Sequence, residues 1–389
     1  MQILKFGGTS VANAKNINNV VSIVQEKLKE NNKSDSYRII VILSALGDIT
    51  DALLEAATLA SVGDISYKEK LHSIEQRHLN TVKELIPLDQ QSGVLSMVKK
   101  RCNEIEDTCN GVFLLKELSL RTKDSIVSYG ELISSQMFAA KLKSLHISNT
   151  WKDARELIAT NSDFGNANVD FAATNKNISA FITTIDSSVI VIPGFTGKDK
   201  NGYTTTLGRG GSDYTAAIIG AAVNASVVEI WTDVSGMMTA DPRLVSNAKI
   251  IQNISYQEAM ELSHFGAKVI YPPTIQPLMN KGIPVVIKNT FAPNDPGTWI
   301  HSEIKKNDNS IRGISSINNL SLISLEGSGM VGIPGFSKRL FEALSNEKIN
   351  VILITQSSSE HSICVGIEEA NADRAKQVVD DAFAYEIEI

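Results

Sequence analysis

Residues 204–214, Thr-Thr-Thr-Leu-Gly-Arg-Gly-Gly-Ser-Asp-Tyr, combine three hydroxyls with Arg209 enclosed by Gly208, Gly210 and Gly211. Ser212 and Asp213 follow, immediately before an apolar helical run from Tyr214 to Val223. Such a run describes an anion site at a helix N-terminus, where glycines let the backbone approach a ligand and unpaired N–H groups point at it. Ser212 or Asp213 can cap the helix. Taken one residue at a time, the same stretch is also a glycine turn with a cap. A second glycine site, Lys5-Phe6-Gly7-Gly8-Thr9-Ser10, makes the ligand reading the stronger one.

Both sites require strands that end at one edge. Ile3 to Phe6 reads as a short buried strand that runs into Gly7-Gly8, and Ile17, Val20, Val21, Val24 and Leu28 then recur at helical spacing. Arg38 to Leu43 is a second strand, followed by Ser44 and, after Gly47-Asp48-Ile49, Thr50. Continuous apolar strands imply burial on both faces, hence an open, mainly parallel α/β sheet between helix layers. Ligands in such sheets bind at the carboxyl ends of the strands.

Residues 51–120 hold no convincing strand and read as a charged helical excursion or lid. Lys123 to Leu145 predicts an amphipathic helix carrying Glu131, a residue type that is ordinarily solvated. Ser187 to Ile192 is a strand with Pro193-Gly194-Phe195-Thr196-Gly197 as its exit turn, and Val227 to Trp231 is another, ending in Thr232-Asp233. Helices near 255–263 and 274–281 flank Phe265-Gly266-Ala267-Lys268, and Ile283 to Ile287 closes the sheet. We place a catalytic domain at 1–300, a linker at 301–315 around the polar stretch Lys305 to Arg312, and a small domain at 316–389. In the small domain, strand, helix, strand, strand and helix precede a stub, Tyr385 to Ile389, giving a ferredoxin-like βαββαβ pattern.

Length and composition are consistent with this. At 389 residues, with 43% hydrophobic and 21% charged content, the chain is globular and expected to form two or three domains. A formal charge of −6 argues against nucleic acid or an anionic membrane as partner, and Lys99-Lys100-Arg101 reads as solvated helix surface. Cys102, Cys109 and Cys364 form neither a disulfide framework nor a metal-ligand spacing. No apolar run approaches the roughly 18 residues of a membrane span, and the N-terminus has no signal-peptide pattern. A cytoplasmic location is expected.

There is no Walker A sequence, and no G-x-G-x-x-G opens a Rossmann unit. Instead, glycine-rich strand exits carry Lys5 and Arg209, and Lys268 adds a third cation. Cations and N–H groups converging on one sheet edge suit phosphoryl transfer, where catalysis is mostly positioning and charge stabilisation. Asp213 can orient a lysine or help hold Mg²⁺. A signature for a catalytic base is missing, which fits a carboxylate acceptor, already ionised at neutral pH.

Five separated motifs carry a resemblance: Lys5 to Val11, Thr204 to Tyr214, Trp231 to Val234, Thr239 to Arg243 and Phe265 to Val269. Together they resemble the aspartokinases of the amino-acid-kinase superfamily over residues 1 to about 300. Gly329 to Gly332 and Ile354 to Ser362 resemble the first ACT domain of bifunctional aspartokinase/homoserine dehydrogenases. The resemblance implies ATP, Mg²⁺ and L-aspartate as ligands, and the first step of the aspartate pathway as the reaction. It implies that Lys5, Gly7, Gly8 and Ser44 hold the transferring phosphate, with Lys5, Asp213 and Lys268 as the catalytic set and no direct protein ligand assigned to metal. Thr50, Glu131, Phe195, Arg209 and Ser212 would hold aspartate: Arg209 pairs with its α-carboxylate and Glu131 faces its ammonium. Thr232, Asp233, Met238, Arg243 and Lys268 would line the ATP site, with Met238 where many relatives have tyrosine. Gln356 and Ser357 would meet an effector such as threonine, and ACT domains imply a homo-oligomer. Family members continue into a second ACT domain, and bifunctional ones into a dehydrogenase, so the chain is expected to be a piece of a longer protein. The alternatives are a relative acting on glutamate or acetylglutamate, and a catalytically silent ACT amino-acid sensor.

Overall fold

The computed structural model describes residues 1–30, 37–264, 270–302 and 311–387. It divides into two compact units, Met1–Ser315 and Ser316–Ile389.

The strands of the first unit are β1 (Gln2–Phe6), β2 (Ile39–Leu43), β3 (Asn149–Trp151), β4 (Ala159–Thr160), β5 (Val189–Pro193), β6 (Thr196–Asp199), β7 (Thr204–Thr206), β8 (Val227–Thr232), β9 (Asn253–Ser255), β10 (Val285–Asn289) and β11 (Thr298–His301). Its helices are α1 (Ala14–Glu30), α2 (Ile49–Ser61), α3 (Tyr67–Leu85), α4 (Gln91–Leu115), α5 (Leu120–Ser144), α6 (Phe171–Ile182), α7 (Gly211–Ala222), α8 (Tyr256–His264) and α9 (Gln276–Met279). Eight strands form one sheet in the order β3-β5-β2-β1-β8-β10-β11-β9, parallel except for the β10–β11 pair. The strand beginning near Ile283 therefore does not close the sheet. Beyond it lie β11 and β9, which are too short and too mixed in composition to announce themselves as strands.

Strand alternation divides the side chains between two cores. Leu4, Phe6, Val41, Leu43, Val191 and Trp231 pack with α1 to α5 on one face. Ile3, Ile40, Ile42, Ile192, Val228 and Ile230 pack with α7, α8 and their neighbours on the other. Lys5 shares the parity of Ile3, so its side chain leaves β1 toward α7. The helices of 51–120 are not a lid apart from the fold. Leu53, Ala57, Leu79, Val82, Val98, Ile105 and Cys109 are buried in the first core, so α2, α3 and α4 make up part of one helix layer.

A second sheet, β4-β6-β7, contains the hydroxyl run that opens the Arg209 motif. Thr205 and Thr206 are buried there rather than offered to a ligand, with Thr205 Oγ1 2.7 Å from Thr160 Oγ1. The exit turn expected after β5 continues directly into β6.

In the second unit, β12 (Leu320–Glu326), α10 (Phe336–Asn346), β13 (Leu353–Gln356), β14 (Ser362–Glu368) and α11 (Ala372–Ala382) follow in that order. The strands form an antiparallel sheet, β12-β14-β13, around Leu340, Leu344, Ile363, Val365, Ile367 and Val379. The final strand expected at Tyr385–Ile389 is replaced in the described residues by a short helix, α12 (Ala384–Ile387). Ala384-Tyr385-Glu386 continues the helical backbone without the β-branched run a strand favours.

Candidate active site

The carboxyl ends of β1, β2 and β5 converge with the start of α7 and the middle of α5 on a cavity of about 320 Å³. The exits are tied to one another by the main chain. Gly7 N donates to Trp231 O at 3.0 Å, Ser44 N to Phe6 O at 3.2 Å, and Gly194 N to Leu43 O at 2.8 Å. Ser10 Oγ lies 2.7 Å from Thr290 Oγ1, and Thr290 N donates to Thr232 O, so the exits of β8 and β10 are fastened to that of β1. Sequence reasoning did not single out Thr290, because one threonine after a strand carries no pattern.

Lys5, Gly8, Ser44, Thr50, Glu131, Phe195, Ser212 and Asp213 all line the cavity. Gly7 adjoins it, since a Cβ there would stand 3.6 Å from Lys5 Nζ. Asp48 and Asp51, at the start of α2, add two carboxylates that the sequence reading passed over. The signal available was an aspartate pair three apart after a strand exit.

Lys5 Nζ stands 2.7 Å from Asp213 Oδ1, and both side chains are nearly buried. Asp213 lies in the first turn of α7, where the helix dipole favours a negative charge. Neither Ser212 nor Asp213 is the cap. That position belongs to Gly210, at φ 70°, a left-handed conformation that side-chain-bearing residues adopt at a cost. Space also selects glycine here: a Cβ at Gly211 would come within 2.6 Å of the Phe195 ring, and one at Gly194 within 2.6 Å of Ser212 Oγ.

Two non-glycine residues on the cavity wall hold left-handed backbone, Asp48 at φ 65° and Phe195 at φ 70°. Backbone strain of this kind persists where the surroundings over-determine it, and it clusters at functional sites. Phe195 is held by its N–H on Thr215 Oγ1 at 2.9 Å and by its carbonyl, which accepts from Leu207 N at 2.9 Å.

Glu131 is 4% exposed, and its Oε2 has no hydrogen-bond partner. Burial pushes its carboxyl up to about 8, against the opposing pull of the Ala45 backbone N–H, its own backbone N–H and the Lys5 charge. A buried carboxyl group with a free oxygen on a cavity wall can receive a cation once it loses its proton.

The remaining expected residues lie elsewhere. Arg209 is exposed, with its guanidinium 5.8 Å from the Tyr271 ring centroid, and it does not line the cavity although its glycine neighbours do. Thr232 ends β8 and Asp233 follows it, with Thr232 Oγ1 donating to Asp233 at 3.2 Å. Met238 bridges Ile250, and Arg243 is ion-paired with Asp241 at 2.7 Å in an exposed loop. None of these four lines the cavity. Lys268 lies outside the described residues. Gln356 lines a separate cavity of about 350 Å³ in the second unit, beside Gly332, Gly335 and Glu360, whereas Ser357 does not.

Comparison with known proteins shows the family of each unit. Residues 1–289 match the amino acid kinase family and residues 323–383 match an ACT domain. A chloroplastic bifunctional aspartokinase/homoserine dehydrogenase 1 of Arabidopsis thaliana is 35% identical over 97% of this chain and 42% of its own. E. coli aspartokinase III solved with lysine and aspartate superposes with a TM-score of 0.80 at 32% identity, covering 99% of this chain and 83% of that one. The same enzyme with aspartate and ADP gives 0.73 at 27% identity, over 98% and 99%. This chain belongs to the amino acid kinase family, and within it to the aspartokinases, with an ACT domain following the kinase unit. It spans less than half the length of the bifunctional enzymes it matches.

Proposed function

We propose that this chain transfers the terminal phosphate of ATP to the side-chain carboxylate of L-aspartate, giving 4-phospho-L-aspartate and ADP, the first step of the aspartate pathway. The observation that carries the reading is Glu131, a buried carboxylate with a free oxygen on the wall that also holds the Lys5–Asp213 pair. An α-ammonium satisfies that oxygen. Acetylglutamate has no ammonium, so the acetylated acceptor fits less well. The solved relative that holds aspartate and ADP together supports the same pair of ligands.

Side-chain carboxylates ordinarily titrate near about pH 4, so the acceptor is ionised at neutral pH and no base is needed to activate it. One of its oxygens attacks the γ-phosphorus, and the bond from that phosphorus to the β,γ-bridging oxygen breaks as ADP leaves. Lys5 neutralises the charge that gathers between two anionic partners, and Gly7, Gly8 and Ser44 bring backbone and hydroxyl donors to the phosphate. Magnesium in such sites is held by one or two carboxylates together with phosphate oxygens, and Asp213, beside Lys5, is a carboxylate placed for it. Mg²⁺ screens the phosphate charge when bound. Thr232, Asp233, Met238, Arg243 and Lys268 are assigned to the nucleotide, and Thr50, Phe195 and Ser212 to aspartate.

Arg209 pairs with the α-carboxylate of aspartate in this reading, which requires its side chain to leave Tyr271 and turn inward. Arg209→Lys then loses a bidentate fork and should raise KM for aspartate by roughly tenfold, with KM for ATP little changed. Steady-state kinetics with each substrate varied in turn checks this, and a selective loss of ATP affinity would show that the two subsites have been exchanged.

We assign catalysis to residues 1 to about 300 and regulation to 316–389. The cavity at the start of α10, lined by Gln356 and Glu360, suits a small amino acid such as threonine. Ile354 on the edge strand β13 is 58% exposed, which favours pairing of ACT units in a homo-oligomer. ADP release across a panel of amino acids, with and without threonine, tests acceptor and effector together. Turnover with glutamate or acetylglutamate but not aspartate would sink the assignment, and the failure of every acceptor in the panel to elicit ADP release would leave only the sensor reading.

A further inference from the structure

The carboxylate of Asp124 lies outside the cavity lining and takes no part in the chemistry above, yet it is 1% exposed and fully engaged. Asp124 stands in the second turn of α5. Its Oδ2 accepts the backbone N–H of Gly165 at 2.9 Å and of Thr206 at 2.8 Å, and its Oδ1 accepts the Thr206 hydroxyl at 2.9 Å. Three donors from two distant segments therefore converge on one side chain.

Those segments lead to the cavity. Thr206 O accepts from Ala167 N at 2.9 Å, so the N–H, hydroxyl and carbonyl of Thr206 are all committed. Two residues later the glycine turn begins with Gly208, at φ 73°, packed so closely on Asn166 that a Cβ there would stand 2.4 Å from its Oδ1. Gly165 and Asn166 belong to the turn that Asp124 holds. From Gly208 the chain passes through Gly210 and Gly211 to Ser212 and Asp213, all on the cavity wall. In the other direction, Glu131 lies seven residues along α5 from Asp124, two helical turns and hence on the same side of the helix.

We propose that Asp124 is a positioning residue that fixes the glycine turn 208–211 to α5, and so sets the span between Glu131 and the N-terminus of α7 across which an amino-acid substrate is held. The inference rests on the aspartate reading of the cavity. Its hydrogen bonds, not its charge, do the positioning. Asparagine can reproduce all three, because its Oδ1 accepts both N–H groups while its Nδ2 donates to the Thr206 hydroxyl, which accepts as readily as it donates.

The test is kinetics on Asp124→Ala, Asp124→Asn and Thr206→Val, each confirmed folded by its thermal transition. Asp124→Ala should raise KM for aspartate roughly 10- to 100-fold, the scale of an ångström-level misplacement. KM for ATP should move by no more than a few-fold. Asp124→Asn should restore KM for aspartate to near the parent value, and Thr206→Val, which loses one of the three bonds, should fall between. If Asp124→Ala does not fold, Thr206→Val alone decides. An unchanged KM for aspartate in Asp124→Ala or, failing that, in Thr206→Val overturns the inference, as does an equal loss for both substrates or an Asn variant as impaired as Ala. A parent protein that does not use aspartate at all overturns the reading beneath it, an outcome distinct from a parent that turns over aspartate while the variants keep its KM.

Discussion

Lys5→Met should lower kcat by roughly 10²- to 10³-fold, the loss seen when one electrostatic stabiliser is removed from a transition state. Strand alternation aims this ammonium at α7, and Asp213 holds it at 2.7 Å on the wall of the cavity. The same geometry predicts a secondary effect. Methionine leaves Asp213 nearly buried without its partner, so thermal stability should also fall. Asp213→Asn in the Lys5→Met background removes the stranded charge and should return part of that stability while kcat stays low. Separating the two effects is the value of the double variant. Recovery of kcat along with the melting temperature would mean that Lys5 acts through the fold, and an unchanged kcat in a well-folded Lys5→Met would remove it from the mechanism.

The parts of the site that the sequence disclosed are those fixed by local backbone rules. Ile39–Leu43 and Val189–Pro193 are apolar throughout because both faces of the sheet are covered, and their ends locate Ser44 and the Gly194 turn. Side-chain direction in a glycine turn is not encoded in spacing, which is why Arg209 could be named but not aimed, and it lies on Tyr271. Short strands rich in hydroxyls give no periodicity. Thr204–Thr206 therefore looked like ligand donors, when Thr205 and Thr206 are bonded to Thr160 and Asp124. The α5 helix shows the same limit. Its Asp124, Ser128, Glu131, Ser134 and Ser135 are buried polar residues, which a sequence reading assigns to solvent. Only the convergence of β7, the sheet and the neighbouring helices on α5 explains why they are inside, and that convergence is long-range.

Glu131→Gln should raise KM for aspartate by roughly 10²-fold and abolish its pH dependence between about 6 and 8. The sign follows from burial. Burial pushes the Glu131 carboxyl up to about 8, which leaves it mostly protonated at pH 7, and it must lose that proton to pair with an ammonium. Binding of aspartate therefore releases a proton, and KM for aspartate in the parent protein should fall by up to about tenfold per pH unit as pH rises toward 8, then level. Glutamine cannot titrate, so the ratio of the two KM values isolates this group from every other pH effect in the assay. Stability provides an independent reading with the sign set by the same shift. Between about 4.5, the ordinary value, and about 8, the folded state holds a proton that the unfolded chain has lost, so the stability of the ligand-free protein should decline as pH rises through that window. Glu131→Gln should flatten this decline, and saturating aspartate should oppose it in the parent but not in the variant. Equal pH profiles for parent and variant, in KM and in melting temperature alike, would show that Glu131 neither titrates in this range nor receives the ammonium, and the aspartate reading of the cavity would lose the observation that carries it.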